Sequence, residues 1–182
     1  MNDQNDVGHD DQIRRWKKEL LDDNQTVALA AVDGLAKNGG ENIFNHAIDL
    51  LKSPKPAVRN IAAILLRDLK DDRAVEPLFA TALNPDLMDY SGTLIYALEE
   101  LNCEHHIVDL FYILFYHEYE AKMMAFGILR TQTFDASKED LMTIQQMWRK
   151  CCLDPNEGLG FDHPETREMM HYMFTGFQDD EE

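Results

Sequence analysis

The side chains best suited to chemistry fall in a few histidine-containing groups. His105 and His106 adjoin Cys103 and Glu104, a grouping that could begin a metal site. Neighbouring residues on a helix point about 100° apart, however, and no second cluster supplies the remaining ligands at a known spacing. These residues are expected to be solvated turn positions. His163 and His171, with Glu168 between them, lie about two helical turns apart, beyond the i, i+4 spacing of a zinc-binding helix. His117-Glu118 lacks the second histidine of a zinc-protease helix. The expectation is no metal and no cofactor.

Nucleophilic and acid–base chemistry fare no better. The chain has no Gly-x-Ser-x-Gly elbow, no phosphate-binding glycine loop and no dinucleotide fingerprint. The acidic pairs Asp22-Asp23 and Asp71-Asp72 fall at turns, where carboxylates cap helices, and Glu99-Glu100 falls on a helix face expected to be exposed. Cys103, Cys151 and Cys152 form no disulfide framework and no CxxC pair, so reduced, partly buried thiols are expected. Without a catalytic signature, the expectation is a chain that is not an enzyme and works through its surface.

The charge on that surface is one-sided. Acidic residues number 34 against 17 basic ones, a formal charge of −17. Residues 74–121 contain no Lys or Arg but carry Glu76, Asp86, Asp89, Glu99, Glu100, Glu104, Asp109, Glu118 and Glu120. Nucleic acid and anionic membrane bind through basic residues that displace counterions, so both are excluded as expected partners. A basic protein would be attracted and steered. The longest apolar stretch, around Ile107 to Tyr116, is far shorter than the roughly 20 residues that span a bilayer. Met1 to Asp10 lack the basic and apolar regions of a secretory signal, which makes the cytoplasm the expected location.

The elements that must carry this surface are helices. Apolar residues recur at helical spacing through nearly the whole chain, cut by Asn38-Gly39-Gly40, Ser53-Pro54-Lys55-Pro56, Asp71-Asp72 and Asn84-Pro85-Asp86. One core-facing triplet repeats: Ala62, Leu66, Leu69. It appears upstream at Ala28, Val32, Leu35 and downstream at Leu94, Leu98, Leu101 and at Ala125, Leu129, Gln132. The first members are 34, 32 and 31 residues apart, the signature of stacked helix pairs that bury their faces on one another.

One repeat also has a recognisable spelling. The run Leu50 to Arg59, with its Pro56-x-x-Arg59 helix start, continues through Ala62-Ala63 to Asp71-Asp72-Arg73-Ala74-Val75-Glu76-Pro77-Leu78. It resembles a HEAT repeat of the short bacterial type also found in phycobilisome lyases. Repeats near residues 24–51, 88–115 and 119–148 keep the columns and lose the consensus: Tyr90-Ser91 replace the Val-Arg pair, and Ala121-Lys122 echo it weakly. The fold expected is an all-α, right-handed α-solenoid of about four helix pairs with helical caps. Residues 1–10 are expected to be a disordered acidic tail and 11–152 the solenoid, beginning with a cap helix through Ile13, Trp16, Leu20 and Leu21. Residues 153–182 should form a loop, a capping helix started by Asp162-His163-Pro164-Glu165 and stopped by Gly176, and an acidic tail.

The resemblance implies that the column-bearing helices line the concave side. Outward positions there fall on Ala30 and Val27, Ile64 and Ile61, Tyr96 and Thr93, Gly127 and Met124. Ile64, Tyr96 and Met123 lie nearest the outward direction. Flanked by Asp33, Asp68, Glu99 and Glu100, they have the form of an interface, with apolar anchors inside and charge on the rim. The partner-binding candidates are thus Ile64, Asp68, Tyr96, Glu99, Glu100 and Met123, unless neighbouring repeats or the C-terminal helix cover them. The expected partner is a basic protein. A cytoplasmic immunity protein that neutralises a basic, nuclease-type toxin fits this profile. The alternative is a lyase-like or chaperone HEAT protein holding a tetrapyrrole or a protein client in its concave face.

Overall fold

A computed structural model describes residues 3–87, 91–154 and 158–178, with the backbone alone for 3–8. Tyr90 of the third repeat, Pro155 of the C-terminal loop and the acidic end Asp179 to Glu182 lie outside the described residues. In chain order the helices are α1 (Asp3–Glu19), α2 (Gln25–Asn38), α3 (Glu41–Leu50), α4 (Pro56–Leu69), α5 (Val75–Ala82), α6 (Gly92–Leu98), α7 (Ile107–Tyr116), α8 (Tyr119–Thr131), α9 (Lys138–Leu153) and α10 (Pro164–Gly176). A 3-10 turn, Asp72–Ala74, leads into α5, and the described residues contain no strand.

Local chemistry places the boundaries. The Asn24 side chain accepts from the Thr26 amide at 3.0 Å and starts α2. Gly39 and Gly40 have φ of +62° and +89°, a left-handed passage that strains other residues and lets α3 follow α2 at once. Pro56 opens α4, and a reciprocal capping box between Ser137 and Asp140 opens α9.

The even-numbered helices form one continuous layer, with α2 on α4, α4 on α6 and α6 on α8. Each odd helix packs on the even helix after it: α1 on α2, α3 on α4, α5 on α6, α7 on α8. In space the repeat frame therefore starts one helix earlier than the 24–51, 88–115 and 119–148 frame expected from sequence. Periodicity sets the spacing of the column helices without saying which flanking helix lies closer. From α2 to α6 the even helices pack together more closely than α3 and α5 do, so the stack curves there with the even helices inside, whereas at the C-terminal end the outer helices α7 and α9 pack closely.

The columns are the core. Ala28, Val32, Leu35, Ala62, Leu66, Leu94, Leu98, Leu101, Ala125 and Leu129 are all buried, while Leu69 is half-buried. Gln132, the odd member, uses its amide to close the end of α6: Nε2 donates to the Leu101 carbonyl at 2.9 Å and Oε1 accepts from the Cys103 amide at 3.0 Å.

The two ends differ from expectation. Helix α1 begins at Asp3, eight residues before the expected start, so residues 3–10 continue the cap helix backwards and are not a disordered tail. Ile13, Trp16 and Leu20 pack inward as expected, whereas Leu21 is exposed. At the other end α10 lies beside α8 and runs parallel to it, with Tyr172 near Phe126 (6.4 Å) and Phe177 near Phe134 (6.0 Å), while Phe174 stacks on Trp148 of α9 at 5.0 Å. Met170, Phe174 and Phe177 have the spacing of Ala62, Leu66 and Leu69. Helices α9 and α10 thus form a looser terminal pair, with α9 packed chiefly on α7 and α10 resting at the end of the even-numbered layer.

Candidate protein-docking face

In α4, α6 and α8 the residue three places before the first column member is polar and buried. Arg59, 3% exposed, donates to the carbonyls of Ser53 (3.0 Å), Pro54 (3.2 Å) and Leu87 (3.0 Å), lacing together the turns before α4 and after α5. Lys122, 2% exposed, holds the same position in α8 and donates to the Leu114 carbonyl at 2.7 Å. Burial pushes its ammonium down to about 8, although the nearby Cys151 and Glu118 act in the opposite sense. In α6 the position is Ser91, whose Oγ lies 3.2 Å from His117 Nδ1 and 3.4 Å from Glu118 Oε1. Burial lowers the His117 pKa as well. A serine, a histidine and a glutamate thus meet, but Ser91 is fully buried and begins a helix, so the group is a joint between α6 and α8. Arg59 and Lys122 belong to the fold, and neither is offered to a partner.

The other histidines are packed or scattered. His106 is not a solvated turn residue: it stacks on Phe79 at 4.5 Å, and its Nδ1 lies 3.0 Å from Asp109 Oδ2. The apolar start of α7 draws the ring inward. His105 is exposed as expected, and among the described residues no three His, Cys, Asp or Glu side chains converge as a metal ion requires. Cys103 and Cys151 are buried and Cys152 is exposed, and no disulfide joins them.

The inner layer carries the surface of interest. Ile64 of α4 and Met123 of α8 are half-buried, and Tyr96 of α6 is 36% exposed. Helix α10 rests on α8 and α9, two helices from Ile64, so it leaves the Ile64–Tyr96 strip open. What covers Tyr96 in part is Arg67, whose guanidinium lies 4.6 Å from the ring centroid. The same guanidinium pairs with Asp68 at 3.2 Å and with Glu100 at 3.4 Å, and Lys70 reaches Glu100 at 3.1 Å. Lys70, then Arg67, hold the Glu100 carboxyl below the usual carboxylate range. Asp68 and Glu100 are thus internally balanced. Glu99, by contrast, is exposed and makes no ion pair among the described residues; its Oε1 lies over α8, 3.6 Å from where a side chain on Gly127 would begin.

Sequence reasoning missed three members of this face. Arg67 follows a column leucine and finds Glu100 33 residues away, a pairing that only the stacking of α4 on α6 creates. Phe126 and Tyr172 were missed because α10 was read as a cap. Tyr172 stands two residues before Phe174, as Ile64 stands before Leu66 and Tyr96 before Leu98, and this register was the available signal.

A curved stack of antiparallel helix pairs with one continuous inner layer defines an α-solenoid of the helical-repeat class. Residues 13–99, from within α1 to the end of α6, match the family described as HEAT repeats. No curated protein matches the chain. HEAT repeats generally mediate protein–protein interaction, and no described helix is long and apolar enough to cross a membrane.

Proposed function

We propose that the chain is a non-catalytic binding module that docks a basic protein on its inner helical layer. The observation that carries this is the run of exposed and half-buried apolar residues on successive inner helices, Ile64, Tyr96, Met123 and Tyr172, beside the unpaired Glu99. Rings at the centre supply anchors, and a carboxylate at the rim selects the charge of what binds. With 34 acids, 17 bases and no basic residue in 74–121, the molecule attracts cationic proteins at long range. A cytoplasmic immunity protein that occludes a basic, nuclease-type toxin is the biological role that best unites a small acidic module with one tight protein partner. The full chain, used as bait, identifies the partner, and the purified pair is then compared with Ile64→Asp and Tyr96→Ala. Both changes should raise the dissociation rate, Tyr96→Ala by about 2 kcal/mol if it is a central anchor. Wild-type kinetics for both folded variants would place the interface elsewhere.

A further inference from the structure

Helices α2 to α8 contain three glycines, and two are explained by packing. A Cβ on Gly34 would lie 2.5 Å from the Trp16 ring, and one on Gly92 would lie 3.0 Å from Glu120 Cβ. Gly127 is different. Its nearest neighbour would be Glu99 Oε1 at 3.6 Å, an ordinary contact, so the fold leaves room for a side chain in the middle of α8. A glycine inside a helix weakens it, and no close packing among the described residues calls for one here.

Gly127 occupies the inner-face position that Ile64, Tyr96 and Tyr172 occupy on their own helices. It therefore leaves a low point on α8, over which the Glu99 side chain alone reaches. Tyr96 lies on the α6 side; Phe126 and the 63%-exposed Tyr172 lie on the α10 side, with their rings 6.4 Å apart. Glu99 lies over its floor. Both walls already hold guanidinium groups within the chain, Arg67 over Tyr96 and Arg130 over Phe126 at 5.5 Å, yet neither pairs with Glu99. The neighbouring acids Asp68 and Glu100 are balanced by Arg67 and Lys70, and the nearest lysine in sequence, Lys122, is buried against the Leu114 carbonyl.

We infer that this trough receives one arginine or lysine side chain of the docking partner, its stem against the exposed edge of Tyr96 and its cationic head on Glu99. This rests on the inner layer being the docking face. A carboxylate without an ion pair, one turn from an exposed aromatic ring, suits a cation on an apolar stem and disfavours an acidic or purely apolar side chain. The missing side chain at Gly127 lets the partner's backbone come close enough for the stem to reach.

The test uses the full chain, nitrogen-15-labelled, and two probes: acetyl-Leu-Arg-Leu amide and the same peptide with neutral citrulline in place of arginine. The arginine probe should shift the Gly127 and Glu99 amides saturably below about 10 mM, and citrulline should bind about fivefold more weakly, as loss of one surface ion pair implies. Glu99→Gln should erase that difference. Gly127→Leu should abolish the shifts, with Gly127→Ala as the milder replacement if Leu disturbs the helix. Equal binding of the two probes, or no shift at Gly127, overturns the inference. Shifts confined to the Ile64 and Leu29 region would overturn the trough and keep the inner-face reading; a known partner unaffected by Ile64→Asp and Tyr96→Ala would overturn both.

Discussion

Lys122 combines near-complete burial with a backbone carbonyl partner, which makes its proton part of the folding equilibrium. The unfolded chain keeps that proton up to the ordinary lysine value of 10.5, whereas the folded chain releases it near 8. Between those values the unfolded state binds more protons, so this residue's contribution to stability rises with pH; below pH 8 it is flat. Cys103, pushed up to about 12 by burial and by Asp72, acts in the opposite sense above its ordinary 9.0. The difference between wild type and Lys122→Met isolates the lysine. Urea melts should show that difference shifting by about 1 kcal/mol in favour of wild type from pH 8 to 9. A pH-independent difference would mean that Lys122 titrates as an exposed amine. Gly127 permits a second residue-scale expectation. With no clash to relieve, Gly127→Ala should stabilise the chain by roughly 0.5 to 1 kcal/mol in the same melts. Loss of stability instead would show that packing, and not an open trough, requires the glycine.

Among the helices, stability rests on the columns. Leu66 and Leu98 are fully buried at matching places in α4 and α6, and truncating either to Ala should cost roughly 2 to 5 kcal/mol in denaturant melts. Phe174, the matching residue of α10, should cost roughly 2 to 4 kcal/mol as Phe174→Ala, because it is half-buried and stacked on Trp148. Contacts in a solenoid run between neighbours, so hydrogen exchange in that variant should rise in α9 and α10 first and leave α2 to α4 protected. Uniform loss of protection would contradict α9 and α10 as a separate terminal pair. The same columns decide how much was legible beforehand. Four triplets at intervals of 34, 32 and 31 residues announce a stack. The fifth begins at Met170, 45 residues after Ala125, because α9 runs for 16 residues and a long loop follows, which breaks the interval. That Ile64 stays half-buried and Tyr96 exposed on the inner layer was readable from their place beside the columns. That Glu100 is balanced and Glu99 is not was unreadable, since it depends on Arg67 and Lys70 reaching across from α4 and its end.

Across the whole molecule, the charge distribution governs how fast anything arrives. A formal charge of −17 repels phosphate backbones, and no tight binding to double-stranded DNA or RNA is expected at physiological salt. A basic partner meets the opposite field. Its association with the chain should be fast at low salt and should slow as salt is added, because charges on the rim act chiefly on the encounter. The structure divides the two neighbouring glutamates. Glu100 is partly neutralised by Lys70 and Arg67, so its field at a distance is small, while Glu99 projects a full charge toward an incoming cation. Glu99→Lys should therefore slow association and flatten its salt dependence, whereas Glu100→Gln should leave the association rate nearly unchanged. Tyr96→Ala, which removes ring contact and not charge, should leave association alone and hasten dissociation. Stopped-flow mixing with the captured partner across a salt series separates the three. If Glu99→Lys and Glu100→Gln slow association equally, the field of the whole surface does the steering and the local pairing around Arg67 is irrelevant to it. If only dissociation responds to Glu99→Lys, the carboxylate belongs to the buried centre of the interface, where the partner's cation must leave it before the complex can part.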